Sequence, residues 1–150
     1  MSNEVAGDDI GHSDLRPPPA PDDLTRFFWD GAAKGRLVLQ RCSGCTRLQY
    51  PPDVVCNFCQ SEALEHSDVS GNGTLYSFAV VDRPFHPGFV SHVPYVVALV
   101  DLAEQPDLRM FTNIVDADPQ DLTVGMAVEV VFERRGESTL PQFRPARAAR

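Results

Sequence analysis

The chain has 150 residues, with 13 Lys and Arg against 21 Asp and Glu, for a formal net charge of −8. That balance argues against bulk electrostatic attraction to nucleic acid or to an anionic membrane, and no run approaches the roughly 20 apolar residues of a membrane span. Hydrophobic residues make up 43% of the chain, enough to build a core in one ordinary domain or two small lobes.

Residues 1–21 are polar and end in Pro17-Pro18-Pro19-Ala20-Pro21. They carry too little apolar surface to offset the entropy of ordering, so a disordered tail with a short polyproline spacer is expected over 1–21. It is acidic through Glu4, Asp8, Asp9 and Asp14, with Arg16 its one basic side chain. An N-terminal helix is expected over 22–36, capped by Asp22 or Asp23 and stopped at Gly35. Leu24, Phe27, Phe28 and Ala32 fall near one face of it. Phe27-Phe28-Trp29 sets three large rings side by side, and one helix face cannot bury all of them. Phe28 and Trp29 are therefore candidates both for a core plug and for a partner-facing site.

Leu37-Val38-Leu39-Gln40-Arg41 reads as a strand leading into the most specific feature of the chain. Cys42-Ser43-Gly44-Cys45 and Cys56-Asn57-Phe58-Cys59 stand ten residues apart and hold all four cysteines. Two Cys-x-x-Cys turns offer four thiolates to one tetrahedral ion, so Cys42, Cys45, Cys56 and Cys59 are expected to bind a single structural zinc. Disulfides are the rival reading and require an oxidising compartment. Residues 1–20 show no apolar run behind a basic stretch, which favours the metal and a cytoplasmic location. A gap of ten is shorter than the usual roughly 15–20 residues. It implies a small ribbon over 37–66 whose hairpin strands are Arg47-Leu48-Gln49-Tyr50 and Val54-Val55. Gly44 is expected to supply the tight turn.

From 67 to 147 the texture turns to strands. Gly71-Asn72-Gly73 marks a turn, and strand-forming runs follow at 74–81, 95–102, 108–115 and 127–133, with a short fifth at 142–144. Five short strands with little helix suggest a five-stranded OB-fold barrel. The loop at 84–94 is long for a hairpin. Its Phe85, His86 and Phe89 are expected to face a partner or ligand. His86 and His92 share this loop, yet no carboxylate or nucleophile lies at an informative spacing, so no catalytic residue is assigned. His66 follows the ribbon, but four thiolates already fill a tetrahedron.

The ordered series Phe28-Trp29-x-Gly31, the two cysteine pairs, Gly71-x-Gly73-x-Leu75-Tyr76-Ser77, Pro94-Tyr95, Ile114-Val115, Gly125-Met126-x-Val128 and Phe143-Arg144-Pro145-Ala146 resembles one family over roughly 22–147. It is the zinc-ribbon plus OB-fold family called domain of unknown function 35, or acyl-CoA-associated proteins. The resemblance implies a mainly β fold: an N-terminal helix, a rubredoxin-like zinc ribbon and a C-terminal OB-fold barrel. It also implies a non-catalytic accessory subunit that helps stabilise or line the acyl-CoA channel of a thiolase-like enzyme, an aldolase or a MaoC-type hydratase, in fatty-acyl, polyketide or steroid side-chain metabolism. A hetero-oligomer with two such chains flanking a catalytic dimer would suit that role. The alternative is a single-stranded nucleic-acid-binding OB barrel, which needs a basic groove with stacking rings. The barrel strands and their flanks offer few basic positions for one, namely Arg83, Arg109, Arg134 and Arg135.

Overall fold

The computed structural model describes residues 14–147, so the expectation of disorder for 1–13 lies outside the described residues. Helix α1 spans Arg26–Ala33. A three-stranded sheet follows, built from β1 (Leu37–Cys42), β2 (Leu48–Gln49) and β3 (Leu64–Val69) in the order β2-β1-β3. Strands β4 (Asn72–Val81), β5 (Tyr95–Leu102), β6 (Arg109–Ile114), β7 (Ala127–Arg135) and β8 (Ser138–Pro145) then close a barrel in the order β4-β5-β6-β8-β7.

The regular helix is shorter than 22–36, but Asp22 does make the bonds of a cap. Its carboxylate accepts from the Thr25 amide at 2.8 Å, its amide donates to the Thr25 hydroxyl at 3.2 Å, and the Arg26 amide donates to its carbonyl at 2.9 Å, so 22–25 form a capped turn that leads into the helix. At the other end Gly35, at φ +71°, allows its own amide to donate to Ala32 and the Arg36 amide to reach back to Gly31. These are the paired bonds of a Schellman stop.

The ribbon sheet differs from expectation. Val54-Val55 is no strand. The third strand is β3, which pairs along the whole of β1 from Leu37↔Val69 to Cys42↔Leu64. Segment 53–57 is held instead by two buried glutamine amides. Gln40 donates to the Asp53 carbonyl and accepts from its amide, at 2.9 and 2.8 Å, as a strand neighbour would. Gln49 donates to the Val55 carbonyl and accepts from the Asn57 amide. The two side chains are joined by a 2.8 Å bond from Gln49 Nε2 to Gln40 Oε1. Burying polar amides in this way is tolerated because each finds its partners.

In the barrel, β5 alternates with period two: Val96, Ala98, Val100 and Leu102 point inward. Met110, Thr112 and Ile114 do the same in β6. Closure falls on one parallel pair, Ile114↔Phe143, with the Val115 amide donating to the Phe143 carbonyl at 2.8 Å. The expected fifth strand at 142–144 is thus the closing part of the longer β8. The barrel interior is continuous with Phe28, Leu37, Leu39 and Leu48, so helix, ribbon and barrel share one apolar core.

A second junction is polar. Gln105, in the β5–β6 turn, accepts from the Leu48 amide at 2.8 Å and donates to its carbonyl at 2.9 Å. Its amide stands where a fourth strand would pair with β2. Gln105→Ala leaves the backbone polar groups of a residue that is 1% exposed without partners. The expected cost is about 1–3 kcal/mol, read as a lower urea midpoint. A midpoint equal to wild type would mean that water replaces the amide without loss.

Candidate metal centre and partner-facing surface

The two cysteine turns have the same backbone. In the first, the Thr46 amide returns to the Cys42 carbonyl at 2.8 Å; in the second, the Gln60 amide returns to the Cys56 carbonyl at 2.9 Å. Thr46 and Gln60 adopt left-handed backbone, at φ +68° and +65°. The sharp turn therefore comes from the residue after each pair and not from Gly44, as expected from sequence. The Cys45 amide lies 3.5 Å from Cys42 Sγ, and the Phe58 amide 3.4 Å from Cys56 Sγ. The Cys45 amide, with those of neighbouring groups, holds the Cys42 thiol down to about 6. A thiol so placed is readily deprotonated for ligation.

All four sulfur atoms lie within 4.8 Å of one another. Cys42 and Cys59 are 3.6 Å apart, as are Cys45 and Cys56. A disulfide needs about 2.05 Å between sulfurs, whereas a tetrahedral zinc with bonds of about 2.3 Å spaces its ligands about 3.8 Å apart. The donor set fits a metal ion. Four protein thiolates leave no open coordination position, so the chemistry such an ion supplies is a crosslink. His66 takes no part: it is exposed, and its ring stacks on Phe27 at 3.9 Å and 12°.

The partner-facing candidates separate. Phe28 is 5% exposed, at the junction of ribbon and barrel, so a partner-facing role for it is corrected: one of three neighbouring rings had to point inward, and this is the one. Trp29 is half-buried and meets Phe28 edge to face at 5.0 Å. Phe85 is 89% exposed. His86 is exposed, but its Nδ1 accepts from the Gly88 amide at 3.0 Å, which makes it the cap of a short 3-10 turn at Pro87–Phe89. Phe89 is half-buried and leans on Tyr95 at 5.2 Å. Reading the sequence missed Phe111, 64% exposed on the outer face of β6. The alternation of Met110 and Thr112 inward was the available signal for it.

Two family profiles match the chain in series. Residues 29–65 match the one described as ChsH2, rubredoxin-like zinc ribbon domain, and residues 66–133 the one described as ChsH2, C-terminal OB-fold domain. A DUF35 domain-containing scaffold protein of Methanothermobacter thermautotrophicus is 35% identical over 99 residues, covering 65% of this chain and 72% of that protein. The chain belongs to the DUF35 family. The four cysteines of this DUF35 chain are accordingly those of a rubredoxin-like zinc ribbon, placed to hold one metal ion. A probable enoyl-CoA hydratase alpha subunit of Thermomonospora curvata is 41% identical over 133 residues, or 88% of this chain and 40% of that protein. The DUF35 chain thus spans about two fifths of the length of the hydratase subunits it matches. Among solved structures, a chain of the Ltp2-ChsH2(DUF35) aldolase superposes with a TM-score of 0.77 at 39% identity, over 85% of this chain and 98% of that one. No helix among the described residues is long and apolar enough to cross a membrane.

Proposed function

We propose that this chain is a non-catalytic accessory subunit that seats on an acyl-CoA enzyme and helps stabilise or line its substrate channel. The partner would be an aldolase, a hydratase or another thiolase-like enzyme. The observation that carries the reading is the likeness to a DUF35 chain of an aldolase assembly, which runs the length of that chain at 39% identity. The site geometry agrees with it. The metal centre has no open position, His86 is spent on a turn, and among the described residues no carboxylate hydrogen-bonds to His86 or His92. Three of the basic side chains of the barrel are also engaged with carboxylates, Arg83 and Arg134 having no such pair among the described residues. Arg109 pairs with Asp101 and Asp107, Arg135 with Glu133, and Arg144 with Glu129. This leaves little of the free positive groove that single-stranded nucleic acid needs.

The test is recovery of the tagged protein from its native host, with mass spectrometry and an absorbance check for nucleic acid. An acyl-CoA enzyme subunit in fixed ratio supports the reading. RNA or DNA without such an enzyme overturns it. Within the complex, Phe85 is the exposed aromatic anchor. Phe85→Ala is expected to weaken association about tenfold while leaving stability within about 0.5 kcal/mol, as its ring makes little contact in the free chain. Titration calorimetry and thermal melts separate the two effects. Alanine at both His86 and His92 should leave the partner's turnover in the assembled complex largely intact, and a large loss there would make them catalytic groups against this reading.

A further inference from the structure

A cavity of about 450 Å3 opens at one end of the barrel, between the loop before β5 and the distal halves of β7 and β8. Phe89, Tyr95, Ile114 and Phe132 give it apolar walls, and Arg16 forms part of its rim. His92, Asn113, Glu133, Arg135, Gln142 and Arg144 make its other side polar, so the size and lining suit a small molecule with an apolar body and a polar end. Arg16 belongs to a segment expected to be disordered, yet its side chain is only 13% exposed.

Two independent contacts hold this segment in place. The first is a close backbone approach: a methyl group on Gly88 would sit 2.3 Å from the Leu15 carbonyl oxygen, so only glycine lets 15–16 lie against the loop. The second is a ring of alternating charges. The Asp14 carboxylate accepts from the Arg16 amide at 3.0 Å and from its Nε at 2.9 Å, which holds the guanidinium beside Glu133 at the cavity's edge. Arg16 then reaches Glu133 at 3.2 Å. Arg135, 9% exposed, donates to Glu133 at 3.0 Å and faces Asp14 at 3.8 Å. Arg16–Asp14–Arg135–Glu133 thus closes on itself, tying the segment to β7 from 117 residues away. Behind it the proline run 17–21 is a stiff spacer to α1, so a released segment stays near the mouth.

We propose that residues 14–16 are a strap across the barrel mouth, latched by this ring, that lifts to widen access to the cavity for small molecules with an apolar body and a polar end. A unit fixed by one backbone contact and a few ion pairs opens at far lower free energy than the barrel itself.

The test uses the full chain, amide hydrogen exchange, and Nile red as a neutral apolar probe. Gly88→Ala drives a methyl into the Leu15 carbonyl and spares every charge in the ring. Glu133→Gln removes the charge that Arg16 and Arg135 share, keeps the side-chain volume at the mouth, and spares both the loop and the Asp14 carboxylate that accepts from the Arg16 amide. In each variant the Arg16 amide should exchange about tenfold faster or more, with β5 and β8 protected as before, and dye uptake should rise in step. The proposal is overturned by a wild-type Arg16 amide that exchanges at the rate of an unstructured peptide. It is equally overturned if neither variant speeds that exchange, or if exchange quickens with dye uptake unchanged. If Gly88→Ala also costs β5 its protection, the Glu133→Gln result decides.

Discussion

Cys56→Ser is expected to abolish stoichiometric metal binding and to unfold the ribbon at temperatures where the native chain is intact. Cys56 is fully buried, and its sulfur is 3.6 Å from that of Cys45. Three thiolates and a hydroxyl are a poorer donor set, and a ligand lost from a buried cluster leaves the others crowded without a cation to balance them. The size of the effect follows from what else holds 36–62. Three strands, one of them two residues long, and the buried Leu37, Leu39 and Leu48 are a small core for an independent fold. Metal binding in such modules is folding free energy, about 10–16 kcal/mol in isolated zinc-finger peptides. Because these leucines are shared with the barrel core, part of that loss should pass to the whole molecule and lower its melting temperature. Metal analysis with calorimetry reads both, and chelation of the reduced wild-type protein should reproduce the variant. His66→Ala is the control and should keep its metal, as that ring lies on Phe27. Coincident melting curves for native and metal-free reduced protein would sink the account.

What the sequence discloses, and what it hides, follows from the range of each interaction. The metal set was legible because ligand geometry is written into Cys-x-x-Cys spacing, and β4 to β7 because strand-forming residues are concentrated in them between turn signals. Strand β3 was not legible. Leu-Glu-His-Ser-Asp-Val carries little strand propensity and lies at a sheet edge, and it is a strand because β1 pairs with all of it. The glutamines at 40, 49 and 105 are hidden for a related reason. Each replaces a missing strand neighbour with a side-chain amide, and nothing in its flanks distinguishes it from a surface glutamine. The latch of Arg16 on Glu133 depends on a partner 117 positions away, which no local pattern carries. The Asp22 turn is the reverse case. A sequence signal for a helix cap was present at Asp22, and the structure uses it: the carboxylate accepts from the Thr25 amide three residues on, one turn ahead of the regular helix.

Phe28→Ala is the second large effect expected, and it tests the correction made to the reading of 27–29. Were Phe28 a docking residue, truncation would weaken a complex and spare the free chain. Its ring is 5% exposed, tilted against Tyr50 at 5.7 Å and edge-on to Trp29 at 5.0 Å, and it joins the ribbon leucines to the barrel interior. Removing it opens a void at the one place where helix, ribbon and barrel all meet. A buried Phe→Ala change costs about 3–5 kcal/mol, a large share of the about 5–15 kcal/mol by which a domain is stable. The variant should therefore melt well below wild type with its metal still bound, since the thiolate cluster does not include this ring. Trp29→Ala should cost less, because Trp29 is half-buried: it packs against the core from outside, whereas Phe28 belongs to it. The order of the two costs is the decisive reading. If Trp29→Ala proved the more damaging in the free chain, the inward ring would be misassigned. If Phe28→Ala left the melt unchanged and only loosened the partner, the shared core would not be what joins ribbon to barrel. The polar clasp of Gln105 on Leu48 would then carry more of the link between them.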